Sequence, residues 1–206
     1  IDKSKADSLL EAMLNSKRPV ILAGGGIISS GTSSQLSEFT KRYNIPVALT
    51  LMGLGAIPYN GNLYLGMPGM HGTIPANRAL NYTDFMVGIG VRFDDRVAVN
   101  GFKDGKKIAH VDLDAAELNK NIPANYPLHA DANDFLEYAI SYSKKNADKI
   151  SEWHKTTLEW RKEIDGWKEQ WRKEFVEQYS GSETTIKPQY AIRQISKLAG
   201  DAVVTT

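Results

Sequence analysis

Short apolar runs alternate with amphipathic stretches over roughly the first 145 residues, and this alternation constrains the fold more than any other feature. The runs lie at 19–23, 46–50, 85–89, 107–111 and 127–130, the last being the weakest. Their length suits strands buried on both faces. Between them, 6–15 reads as a helix with Leu9, Leu10, Met13 and Leu14 on one side. Ser33 or Ser34 can cap a helix that runs to Tyr43 and turns Leu36 and Phe39 inward. Pro75 suits the first turn of a helix over 75–81. Asp114-Ala-Ala-Glu117 has capping-box spacing and predicts a short helix, and 133–145 predicts a longer one. The glycine- and proline-rich stretch from Gly53 to Gly72 reads as a long loop. Strands alternating with helices imply a parallel sheet covered on both faces, joined by right-handed crossovers. The expected fold over 1–146 is therefore a doubly wound, mostly parallel α/β domain that binds ligands at the carboxyl ends of its strands.

Composition shifts near Lys144 toward charge, tryptophan and helix formers. Trp153, Thr157, Trp160, Ile164, Trp167, Trp171 and Phe175 follow spacings of four and three, which predicts one helical seam of period near 3.5. The polar face is mixed in sign rather than basic, so the seam is expected to pack on the chain's own domain or a neighbour, not on a membrane. We expect 147–181 to be a helical linker segment, with Gly181-Ser-Glu-Thr184 reading as the connection after the helix. A helix at 186–198 and an opening strand at 202–206 then begin another unit over 182–206. Ile rather than Met at position 1, and an end on an opening strand, predict a piece of a longer chain.

Several function classes are disfavoured. The chain has 25 Lys+Arg against 24 Asp+Glu, a net charge of +1, which lacks the basic surplus of a nucleic-acid protein. It has no cysteine, so a disulfide scaffold, a thiolate metal site and a cysteine nucleophile are excluded; this fits a reducing compartment, and the expected location is cytoplasmic. No apolar run approaches the ~20 residues of a membrane span, and the first residues have no signal-peptide core. The scattered histidines propose no metal site, and neither GxSxG nor GxxxxGK[ST] occurs.

Candidate ligand groups gather at predicted strand ends. Gly24-Gly25-Gly26 follows the first strand and either lets a phosphate approach the backbone or forms a plain tight turn; the third dinucleotide glycine would fall at Ser29. Asp112 ends the fourth predicted strand, as an acceptor for ribose hydroxyls or as a turn acid. Arg92-Phe93-Asp94-Asp95-Arg96-Val97 supplies two arginines suited to phosphates or a flat ring, or else a surface ion-pair cluster. Gly69-Met70-His71-Gly72 places a histidine before a helix, to meet a ligand or to close a turn. His110 lies inside a strand and is expected to be buried structure.

Four segments in order, Gly69-Met-His-Gly-Thr73, Gly90-Val-Arg-Phe-Asp-Asp-Arg-Val97, His110-Val-Asp-Leu-Asp114 and Ile186-Lys-Pro-Gln-Tyr190, resemble the catalytic large subunit of acetolactate synthase, also called acetohydroxyacid synthase. The resemblance covers essentially the whole chain, and the run beginning at Arg92 is its most specific part. It implies the central, FAD-holding domain of a three-domain subunit whose flanking domains bind thiamine diphosphate and magnesium. The implied reaction joins two pyruvates, or pyruvate and 2-oxobutyrate, with decarboxylation in branched-chain amino-acid biosynthesis. The FAD is implied to be mainly structural, and the chain alone inactive, with no catalytic or metal-binding residue of its own. The implied cofactor contacts are Gly24, Gly25, Gly26, Thr50, Leu51, Met52, Gly69, Met70, His71, Gly90, Arg92, Asp94, Arg96, Val97, Asp112, Leu113 and Asp131. Met70, Asp95 and Arg96 are further implied to border a herbicide channel. Pro68 departs from the pattern, standing where Leu or Gly is expected. A homodimer or homotetramer and a regulatory small subunit are the implied partners. Two other readings remain: the middle domain of another thiamine enzyme using an adenine nucleotide such as ADP, and a non-catalytic assembly module built on the tryptophan helix.

Overall fold

A computed structural model describes residues 1–59, 61–94, 105–176 and 185–199. Six parallel strands form one sheet: β1 Pro19–Ala23, β2 Val47–Leu49, β3 Tyr64–Gly66, β4 Phe85–Ile89, β5 Lys107–Asp112 and β6 Tyr126–His129. Their spatial order is β3-β2-β1-β4-β5-β6. The chain therefore works outward from β1 to one edge, returns beside β1 at β4, and works outward to the other edge. That reversal is the topological switch point of a doubly wound sheet, and the expected fold class is observed.

Side chains along each strand alternate between two cores. Ile21, Ala23, Val47, Val87, Ile89, Ala109 and Val111 face one core, where they meet α1 (Lys3–Leu14), α3 (Ser33–Tyr43) and α5 (Ala132–Lys145). Val20, Leu22, Ala48, Met86 and Ile108 face the other, where they meet α4 (Ile74–Tyr82). Continuous apolar runs were required because both sides of each central strand are buried.

Four sequence expectations are corrected. The long loop contains β3, a three-residue edge strand whose register against β2 slips between Val47 and Ala48. An edge strand pairs on one side only, so it carries little apolar signal. The turn after β1 is followed at once by a short helix, α2 Gly25–Ser29. Asp114-Ala-Ala-Glu117 opens no helix: Asp114 Oδ1 accepts the Ala116 amide at 2.9 Å, but the chain continues as turns and reaches a left-handed Asn119 at φ +62°. A left-handed residue stops helix propagation.

The fourth correction concerns the tryptophan seam. It packs on the chain's own domain, as expected, but not as one stripe. It breaks at Thr157 into α6 (Ala147–Thr156) and α7 (Leu158–Trp171). Ile150 and Trp153 enter the first core, while Trp160 and Ile164 enter the second. Trp153 Nε1 donates to Ser16 O at 2.8 Å and Trp160 Nε1 to Pro19 O at 2.9 Å. The two helices thus wrap the amino-terminal edge of β1, one on each face of the sheet. The segment continues as a π-helical turn, Arg172–Val176. Helix α8 (Pro188–Ala199) follows the expected 186–198. The linker Gly181-Ser-Glu-Thr184 and the strand at 202–206 lie outside the described residues.

Candidate functional site

A cleft of about 260 Å³ opens at the carboxyl edge of the sheet, on the β4-β5-β6 side of the switch point. Its floor is backbone from Gly26 and Gly90, and its walls carry Arg92, Asp112, Leu113 and Asp131. Ten of the described residues line the cleft, and these six of them were expected from sequence.

The glycines pack on one another. The Gly24 amide donates to Ile89 O at 3.0 Å, and the Gly26 amide donates to Gly90 O at 3.1 Å. A Cβ on Gly26 would stand 2.6 Å from Gly90 Cα, and Gly90 itself is left-handed at φ +58°. The loops after β1 and β4 therefore interlock backbone to backbone, which only glycine permits. Ser29 and Ser30 of the α2 end also line the cleft. They were not among the expected contacts, although the dinucleotide spacing pointed at Ser29.

Asp112 terminates β5. Its Oδ1 accepts the Asp114 amide at 2.9 Å, and its Oδ2 lies 3.7 Å from His110 Nε2. Burial pushes the Asp112 carboxyl up, but the neighbouring His110 imidazole and the Asp114 and Leu113 amides outweigh it, holding the group below the ordinary aspartate value. The cleft therefore presents an ionised acceptor at neutral pH. Asp131 caps α5, its Oδ1 accepting the Asn133 amide at 2.7 Å.

Arg92 and Asp94 meet at 3.3 Å at the cleft mouth, the arginine being well exposed. Between them Phe93 turns inward and is only 2% exposed. Arg96 and Val97, and with them Asp95, lie outside the described residues. His110 is buried, as expected.

The other two expected loops stand on the β2-β3 side of the same edge and do not line this cleft. The Thr50 amide donates to Ala23 O at 3.0 Å, seating the turn Leu51–Gly53 against the β1 loop. A Cβ on Gly25 would meet Met52 Cβ at 3.0 Å. The Gly69 loop is clamped by Asn77 of α4, which accepts the Gly69 amide at 2.8 Å and donates to Gly69 O at 2.9 Å. Pro68 is buried in that loop, directly under Gly72, whose added Cβ would meet Pro68 C at 2.7 Å. Both loops hold large apolar side chains outward: Met52 is 72% exposed and Met70 91%, and His71 is exposed beside it.

Fold and cleft together define a doubly wound α/β domain with a cleft at its switch point. The profile of the family described as thiamine pyrophosphate enzyme, central domain, matches residues 6–138, and the chain belongs to that family. Its relatives include the acetolactate synthase large subunit of Haemophilus influenzae, 38% identical over 208 residues, with 99% of this chain and 35% of that protein covered. The acetolactate synthase isozyme 3 large subunit of Escherichia coli is 35% identical over 212 residues, covering 99% of this chain and 35% of that protein. Acetolactate synthase 1, chloroplastic, of Zea mays is 40% identical over 220 residues, covering all of this chain and 32% of that protein. The chain spans about a third of the length of these curated relatives. Among the described residues no cluster of His, Asp or Glu is arranged to hold a metal ion, and no helix is long and apolar enough to cross a membrane.

Proposed function

We propose that this chain is the FAD-holding central domain of an acetolactate synthase large subunit. The observation that carries the reading is the cleft at the switch point, with the ionised Asp112 at a strand end and Arg92 at its mouth. An ionised acid there accepts hydrogen bonds from ribose hydroxyls, and the arginine offers a planar fork to phosphate oxygens. At about 260 Å³ the cleft is near the lower limit of small-molecule sites, about 300 Å³, and matches the adenosine half of a dinucleotide. The flat, apolar flavin half fits the exposed Met52 and Met70 loops on the neighbouring side of the same edge. When bound, FAD supplies a rigid scaffold between these loops. The chain's own residues orient it: Asp112 and Asp131 at the adenosine end, and Arg92 and Asp94 at the phosphates. Leu51, Met52, Met70 and His71 stand at the ring, with Arg96 and Val97 assigned by resemblance.

In this reading 1–146 forms the central domain, 147–181 connects it onward, and 182–206 opens the thiamine diphosphate-binding domain. Thiamine diphosphate and magnesium belong to those flanking domains. The parent enzyme condenses pyruvate with pyruvate or 2-oxobutyrate as a transferase in branched-chain amino-acid synthesis. It acts in the cytoplasm as a homodimer or homotetramer with a regulatory small subunit. The chain alone is inactive.

Titration with FAD, followed by flavin fluorescence with ADP as competitor, tests the reading. Saturable binding displaced by ADP is expected. Absence of FAD binding in the complete polypeptide would overturn it. Binding of ADP with no affinity for FAD would favour a second reading, the middle domain of a thiamine enzyme that uses an adenine nucleotide. That alternative draws on one observation: the adenosine end is a formed cleft, whereas the flavin end is a pair of exposed loops. The assembly-module reading loses its main support, because Trp153 and Trp160 are both buried within this chain.

A further inference from the structure

Phe93 holds a backbone conformation that bulky residues rarely adopt, with φ +48°. It is nevertheless buried to 2% exposure. Its ring sits in a slot on the sheet face left by Gly88, where an added Cβ would meet Phe93 Cζ at 2.5 Å. Gly88 pairs in register with His110 on the neighbouring strand. The Phe93 ring therefore fills the place of a missing side chain and stands edge-on to the His110 imidazole, with centroids 4.8 Å apart and planes at 82°. His110 Nε2 lies 2.8 Å from Val91 O, and since a carbonyl only accepts, that nitrogen carries a proton and donates it. The same nitrogen lies 3.7 Å from Asp112 Oδ2.

We infer that Phe93 is a positioning residue of the cleft: through His110 it sets where Arg92 and Asp112 stand without touching a ligand itself. Turning Phe93 inward forces its neighbours Arg92 and Asp94 outward, where they face each other at 3.3 Å. Packing the ring on His110 fixes the imidazole that reaches both the Val91 carbonyl, where the arginine loop begins, and the Asp112 carboxylate. One buried contact thereby ties the exits of β4 and β5 together. The left-handed backbone and the glycine inside a central strand, each unfavourable alone, are explained as two halves of that contact. What Arg92 and Asp112 then hold rests on the nucleotide reading above; the coupling itself does not.

The test uses the intact protein and two readouts, amide hydrogen exchange without ligand and FAD affinity. Phe93→Gly keeps the left-handed backbone without steric cost and deletes the ring. Gly88→Ala keeps the ring and fills its slot. Phe93→Leu is the milder variant should Phe93→Gly fail to fold. Each is expected to speed exchange of the Asp114 amide, which is bonded to Asp112, more than exchange in β1 or α1. Each is expected to weaken FAD binding about tenfold, the scale of one lost hydrogen bond to a charged group. Faster exchange confined to 91–94, with 112–114 and FAD affinity unchanged, would overturn the inference. So would acceleration spread evenly over the sheet in step with lost stability, which marks a core residue and nothing more. Should the wild-type protein take no FAD, the nucleotide reading falls and exchange at 112–114 alone decides the coupling.

Discussion

A Cβ placed on Gly24 would stand 2.1 Å from the carbonyl oxygen of Gly90, closer than any real contact allows. These residues lie 66 positions apart (90 − 24), in the loops that leave two adjacent strands. Their approach closes the floor of the cleft, so the glycine run serves the union of two loops.

Gly24→Ala is accordingly expected to cost about 1–3 kcal/mol, the scale of overpacking, and to abolish nucleotide binding. Gly31 is a control, left-handed at φ +67° with open space around it. Gly31→Ala should cost about 1–2 kcal/mol through the backbone alone and leave binding intact. Urea denaturation and FAD titration of both variants check this; equal loss of binding in both would count against the interlocked loops.

Asp112→Asn should weaken FAD and ADP alike, by about 1.5–3 kcal/mol, because it removes a charged acceptor at the adenosine end. Arg96→Ala, at a position outside the described residues, should weaken FAD by a similar amount, about 1.5–3 kcal/mol, with the unfolding midpoint unchanged. Competition titrations separate the two ends: a variant that loses FAD but keeps ADP acts at the flavin half.

His154 makes stability depend on pH. Its imidazole is held below the ordinary histidine value, first by burial and then by the Arg161 charge, against the partial help of Tyr43 and Arg42 carbonyls. Its Nε2 is buried and has no hydrogen-bond partner among the described residues. A lowered folded-state value means that the unfolded chain takes the proton more readily. The contribution is complete above the unfolded value of about 6.5 and is lost as pH falls through the lower folded value. Wild-type protein should thus lose stability from about pH 7 toward pH 5, and His154→Gln should flatten that decline. Denaturation midpoints against pH read the difference; an identical slope in the variant would refute the role.

Trp160→Ala should destabilise by about 3–5 kcal/mol, the usual cost of emptying a large buried site. Trp160→Phe keeps most of the packing but strands the Pro19 carbonyl, which accepts from Trp160 Nε1 at 2.9 Å, and should cost about 1–3 kcal/mol. If both variants unfold at the wild-type midpoint, α7 does not hold the second face of the sheet.

Strands β1 and β4 were legible because their five residues are buried on both faces and so are apolar without a break. Most of the cleft lining was legible too, since a glycine run and a strand-end acid leave plain marks. Strand β3 was hidden: it is three residues long, lies at the sheet edge and sits among glycines. The capping-box spacing at Asp114 misled because local side-chain hydrogen bonding supports an isolated turn as readily as a helix start. The tryptophan seam was read correctly as core-seeking but not as divided, since a period along one helix carries no information about a break at Thr157.

Residue order alone determined the class of fold, the two-sided burial of the strands and most of the positions that line the cleft. Local patterning suffices there, because burial, turn chemistry and helix periodicity are written within a few residues of one another. Tertiary structure alone decided that Gly24 serves Gly90, that Phe93 fills the gap at Gly88 to meet His110, and that Trp153 and Trp160 clasp opposite faces of one sheet. Each of these is a contact between segments distant in the chain, fixed by where the strands lie in the sheet, and no spacing within a single segment encodes it.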